Sequence, residues 1–166
     1  MKKIIIPAIV LFITMTCVNA YAQVTASISA TATVLTGISV TNKSDLNFGD
    51  DIVPGVQRNV DKTNANSGRF TLLGAPNKQI SISFVTPSQL INGANTMPIT
   101  FSSTDAGYQV PGGSVISFNP VVVSNASFNS QGTMTVFLGG KVNPSNNQES
   151  GLYTASITVN VEYTGN

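Results

Sequence analysis

Five aspartates, Asp45, Asp50, Asp51, Asp61 and Asp105, are the residues of this chain best suited to acid–base or cation chemistry. Two carboxylates roughly 5–10 Å apart can serve as acid and base or nucleophile. Several of them, with carbonyl oxygens, can hold a hard divalent cation. The pattern favours neither. All five fall in stretches that read as loops or strand ends, where aspartate forms turns. The stretch from Asp45 to Asp51 lacks the spaced ligand ladder of a calcium loop and reads as a solvated turn. The chain has no His and no Trp, and its one Cys is Cys17. The usual acid–base switch, thiolate nucleophile and zinc or copper ligands are therefore missing beyond the leader. Gly112-Gly113 and Gly139-Gly140 precede no helix, so they read as turns rather than phosphate loops. Aromatic residues make up only 7% of the chain, which favours core filling over a sugar platform. The expectation is a protein that is not an enzyme, with no catalytic, cofactor-binding or metal residues and no cofactor.

The elements around these residues follow from the leader and the periodicity. Lys2 and Lys3, an apolar stretch to Ile13 and the Ala20-Tyr21-Ala22 triplet read as a signal peptide over residues 1–22. The residues before Cys17 (Thr14, Met15, Thr16) do not suit a lipidation site. The apolar stretch is short for a membrane span, so no transmembrane helix is expected after cleavage. Cleavage would remove two of the eight basic residues, leaving a near-neutral chain against seven acidic ones. Such a chain has no electrostatic footprint for nucleic acid. It would also contain no cysteine, so core and backbone ladder alone must hold it.

From residue 24 to residue 40 apolar and polar residues alternate. Val24, Ala26, Ile28, Ala30, Ala32, Val34, Ile38 and Val40 share one parity, interrupted by Thr36. A period of two is an extended strand with one apolar face. At about 3.3 Å per residue the run spans on the order of 55 Å, against roughly 17–20 Å for an ordinary strand. It divides most economically into a first strand of the body over residues 34–41 and an extension over residues 24–32.

Shorter alternating runs follow. Strands are expected over residues 45–49, 69–73, 79–85, 97–101, 115–118, 120–123 and 132–142, the last with a bulge at Gly139-Gly140. The final run, residues 153–163, puts Tyr153, Ala155, Ile157, Val159, Val161 and Tyr163 on one face. The fold class is all-β: a single immunoglobulin-like antiparallel β-sandwich over residues 34–166, with an N-terminal alternating extension over residues 23–33.

Two blocks carry a family resemblance. The run Ala30-Thr31-Ala32-Thr33-Val34-Leu35-Thr36-Gly37-Ile38-Ser39-Val40, followed by Asp45-Leu46-Asn47-Phe48-Gly49, resembles the N-terminal block of exported bacterial proteins classed as domain of unknown function 4402. The closing stretch Phe137-Leu138-Gly139-Gly140-Lys141-Val142, then Gly151-Leu152-Tyr153 and the run to Tyr163, is similar to that family's C-terminal block. The family commonly has Pro where Gly37 stands here. Its layout is similar to that of chaperone–usher fimbrial subunits and spore coat protein U-like proteins, in which the body lacks one strand and the next subunit supplies it. This chain differs from well-known pilins in having no disulfide.

The resemblance implies a self-assembling surface protein, a pilin-like subunit joined by strand donation. Its partners would be like subunits, a periplasmic chaperone and an outer-membrane usher, with neither nucleic acid nor membrane span involved. The candidate donor residues are Val24, Ala26, Ile28, Ala30 and Ala32, and the candidate groove border is the face from Tyr153 to Tyr163. The destination would be the cell surface, a fimbrium or the extracellular space, with the periplasm as the alternative. The same N-terminal run also suits pairing in cis. That leaves a second reading, a monomeric binding module for carbohydrate or host protein, contacting its ligand through residues 92–97, 105–113 and 143–150.

Overall fold

The computed structural model describes Ser29, Thr31 and residues 34–165. The chain divides into two units, Met1–Thr33 and Val34–Asn166, and the fold concerns the second. The expected signal peptide and all five candidate donor residues lie outside the described residues.

The described chain is all-β, with every strand pair antiparallel. Among the described residues no helix is long and apolar enough to cross a membrane. One sheet joins β1 (Ser39–Ser44), β3 (Gly68–Leu73), β10 (Thr133–Leu138), β7 (Ala106–Gln109) and β8 (Ile116–Phe118), in that order. A second joins β12 (Thr158–Tyr163), β4 (Gln79–Val85) and β9 (Ser124–Ser127). The two pack face to face as a β-sandwich. Strand alternation decides what meets in the middle: Ile80, Ile82 and Phe84 of β4 point inward against Leu72, Met134, Val136 and Leu138. Each fully buried Leu or Ile contributes about 1.5–3 kcal/mol by leaving water.

A third sheet, β2 (Arg58–Val60), β11 (Gly140–Val142), β6 (Asn95–Thr100) and β5 (Gln89–Asn92), has its own core of Phe48, Val60, Met97, Ile99 and Val142. The chain passes from β10 of the first sheet to β11 of the third through Gly139. A side chain there would sit 2.4 Å from the Val60 carbonyl and 2.7 Å from the Lys62 nitrogen, so only glycine fits. The glycine pair expected to make a bulge marks a change of sheet.

Several expected strands are corrected. Residues 45–49 form no strand. Phe48 is buried in the second core, the Asn47 side chain accepts the Gly49 N–H at 2.8 Å, and Gly49 takes a positive φ, which together turn the chain. Residues 120–123 are a turn in which Val122 N donates to Asn119 O at 3.2 Å. The first strand runs from Ser39 to Ser44 rather than over residues 34–41. Its partner β3 ends at Leu73 before the turn at Gly74, so residues 34–38 have nothing to pair with.

The last strand starts at Thr158 rather than at Tyr153. Tyr153 packs into the second core, and its hydroxyl donates to Glu149 O at 2.9 Å and accepts from Gln148 Nε2 at 2.7 Å. Thr154 is held to Ile91 of the third sheet by two backbone hydrogen bonds of 2.9 and 3.0 Å. One alternating run therefore serves two sheets. Strands β2, β5, β7 and β9 lie where no strand is expected from the sequence, being short and weakly apolar.

Candidate strand-docking groove

The two sheets leave an open margin between β1 and β12. Neither strand holds a single buried residue: β1 is exposed up to a half-buried Ser44, and β12 alternates exposed and half-buried. Yet both carry apolar residues facing inward. Val40 lies opposite Leu72, which is fully buried, but is itself 42% exposed. On β12, Val159, Val161 and Tyr163 lie on the core side opposite Phe84, Ile82 and Ile80 and are only half-buried. Ile38 and Phe70 pack against the same core from the other wall. Inward-facing apolar residues that stay half-exposed along one margin make it a candidate contact surface.

The backbone is open along the same line. Thr164 N donates to Gln79 O at 3.2 Å, so alternate residues Thr158, Asn160 and Glu162 turn their backbone groups toward β4. Val159, Val161 and Tyr163 turn theirs away. Likewise Gly74 N donates to Gly132 O at 2.9 Å, which assigns the even residues of β3 to β10 and the odd ones to β1. Val40 and Asn42 then aim outward from β1. Among the described residues these outward groups have no backbone partner. Unpaired edge groups are a template for another strand.

The groove has two unlike ends. At one end a cleft of about 170 Å³ opens, with Leu46, Phe70, Leu138 and Ile157 among its apolar lining and Asn42, Ser44, Asp45 and Ala155 also lining it. The Asp45 carboxylate there accepts from Asn42 Nδ2 at 2.7 Å. At the other end Tyr163 closes the margin. Its hydroxyl donates to Thr36 O at 2.7 Å and accepts from Ala75 N at 2.6 Å. Gly74 makes this possible, because a side chain there would lie 2.4 Å from the Phe128 ring and 2.9 Å from the Tyr163 hydroxyl.

The structure thus brings together Val159, Val161 and Tyr163 within β12, Ile157 just before it and Ala155 in the cleft lining, whereas Tyr153 belongs to the second core. The opposite wall, Ile38, Val40, Phe70 and Leu46, was not singled out as site-lining from sequence. The parity of Val40 was the available signal, but no local pattern says that an inward residue will stay uncovered.

Asp45, Asp51, Asp61 and Asp105 are engaged locally. Asp61 accepts from the Thr63 hydroxyl at 2.7 Å and the Thr63 N–H at 2.8 Å, first the hydroxyl and then the N–H holding its carboxyl below the ordinary value. Asp105 accepts from Ser102 N at 2.7 Å, and Asp51 pairs with Arg58. Among the described residues no three His, Cys, Asp or Glu cluster as metal ligands would. A second cleft, about 190 Å³, lies by Lys141, Phe101 and Asp105 on the third sheet, away from the groove.

No curated protein matches the chain. A family match begins after β1 and ends on Tyr163, so it takes in the closing block from Phe137 and leaves out the N-terminal block. The chain belongs to the family described as Domain of unknown function (DUF4402), which it matches over residues 55–163.

Proposed function

We propose that this protein is a non-enzymatic, exported structural subunit of pilin type that assembles by strand donation. The observation that carries the reading is the margin between β1 and β12, where half-buried inward apolar residues coincide with outward backbone groups that lack a partner. A strand laid along it would gain ladder hydrogen bonds and cover the exposed faces of Val40, Val159 and Val161. The proposed occupant is the segment over residues 24–32 of a second copy, with Val24, Ala26, Ile28, Ala30 and Ala32 facing in. Its length, roughly 30 Å when extended, spans a six-residue strand such as β12 with residues to spare. Small alanines suit a groove whose floor is already partly filled by Phe70 and Ile157. An inserted strand becomes part of a core, so its release resembles unfolding and gives kinetic stability without disulfides.

Under this reading the signal peptide exports the chain to the cell surface as part of a fimbrium. A periplasmic chaperone would cover the open edge before an outer-membrane usher assembles the subunits. Deletion of residues 24–32 tests the reading. The full-length mature protein should form oligomers that persist in detergent, and the deletion should abolish them while leaving a folded domain. An unchanged oligomeric state after the deletion sinks it.

A further inference from the structure

The groove has a direction. β1 starts at the Tyr163 end and finishes beside Gly68, whereas β12 starts beside the cleft at Ile157 and finishes at Tyr163. The chain therefore leads into β1 from the Tyr163 end, through residues 34–38. To lie in its own groove it would have to reverse there and run back alongside β1 as a hairpin.

A tight two-residue hairpin turn needs positive φ at one or both central residues. Residues 34–38 have none; the first positive φ among the described residues is at Gly49. Between residues 24 and 40 the sequence offers one glycine, Gly37, and no Pro, Asn or Asp, while Ser27, Ser29 and Ser39 belong to the alternating polar face. A side chain at Gly37 would meet nothing within 4 Å, so open space does not prevent a bend there. The adjacent residue does: the Thr36 carbonyl is tied to the Tyr163 hydroxyl, which is itself held by Ala75 N.

Resting on the strand-donation reading, we infer that the Tyr163 hydroxyl is a latch that blocks self-filling of the groove, so that the occupant must come from a second copy. Tyr163 is a positioning residue. It fixes the backbone next to the one glycine of the N-terminal run, and it does so from the last residue of the strand that borders the groove. The same side chain thus marks the closed end of the groove and sets the path by which the chain enters.

The test compares the full mature chain with its Tyr163→Phe variant, which keeps the ring and loses the hydroxyl. Light scattering after size exclusion gives the monomer share, and hydrogen exchange reads the outward amides of Val159 and Val161. In the wild type these outward amides should be protected in oligomers and exchange freely in any monomer. Tyr163→Phe should differ in both respects. Its monomer share should rise at least threefold, with Val159 and Val161 now protected inside the monomer. The latch is overturned if wild-type monomer already protects these two amides, or if the variant keeps the wild-type monomer share and leaves these amides free in its monomer. Absence of oligomers with free Val159 and Val161 amides in both proteins would instead defeat strand donation. The latch is overturned with it, because the variant has left its own groove empty, whereas protected Val159 and Val161 amides in a Tyr163→Phe monomer, with no oligomer of either protein, would uphold the latch alone.

Discussion

The sandwich has two margins, and the chain finishes one and leaves the other open. Where β8 meets β9, residues 119–123 cross from one sheet to the other. Pro120 is fully buried there, and its carbonyl accepts from Phe84 N at 3.0 Å, extending the ladder of β4 past the end of β9. Phe118, Ala126 and Phe128 beside it are buried. Where β1 meets β12 no connection crosses among the described residues, and nothing in either strand is buried. The difference teaches that inward parity is not burial. An inward residue is buried only when a third element covers it, and a connection of a few residues is enough to supply one.

The largest effect expected on this contrast comes from the shared interior. Ile82→Ala on β4 should cost about 2–5 kcal/mol in urea unfolding, equally for the isolated domain and for assembled protein, because Ile82 is covered in both. A much smaller cost would mean that the core between the sheets can collapse. Val161→Ala on the open margin should cost only about 1 kcal/mol in the isolated domain, since the side chain is half-exposed. In assembled protein the cost should rise. Equal costs in the two states would show that no strand covers β12.

On the finished margin Val122, 55% exposed, has no further role in burial. Val122→Ser should change stability by less than about 0.5 kcal/mol in either state. A loss of assembly on this change would mean that the exposed valines, and not the groove, join the copies.

The smallest expected effect is a control that lies on neither margin. Thr63, first by its hydroxyl and then by its N–H, lowers the Asp61 pKa from its ordinary 3.8. A lowered folded-state pKa means that ionised Asp61 stabilises the fold above pH 3.8, and that this contribution is lost as pH falls through the lowered value. Thr63→Ala should therefore bring the acid limb of the stability curve to slightly higher pH, with the same shift in isolated and assembled protein. A different shift in the two states would connect this turn to assembly.

The strand over residues 79–85 was legible because its apolar positions alternate over enough residues to outweigh local noise, and the inward positions over 132–142 were legible for the same reason, although that run divides at Gly139 between two sheets. The alternation of residues 153–163 was equally clear, but reading it as one strand failed. Tyr153 and Thr154 are claimed by the third sheet and Val159 to Tyr163 by the second, and a period of two does not record which sheet an apolar residue joins. Strands β2 and β9 were invisible for the opposite reason. They contribute few apolar residues, and their pairing depends on neighbours distant in sequence.

By itself the sequence determined that this is an all-β chain without His or Trp, which strands alternate strongly, and that apolar and polar residues alternate over residues 24–40. These follow from composition and from side-chain period, both local properties. Only the tertiary structure decided that the run from Tyr153 changes sheets, that Val40 and Val161 face inward yet stay uncovered, and that Tyr163 binds the chain at Thr36. Those outcomes depend on which strand lies beside which. Backbone groups must find partners wherever the fold puts them, and where the fold puts none, an open edge remains for another chain.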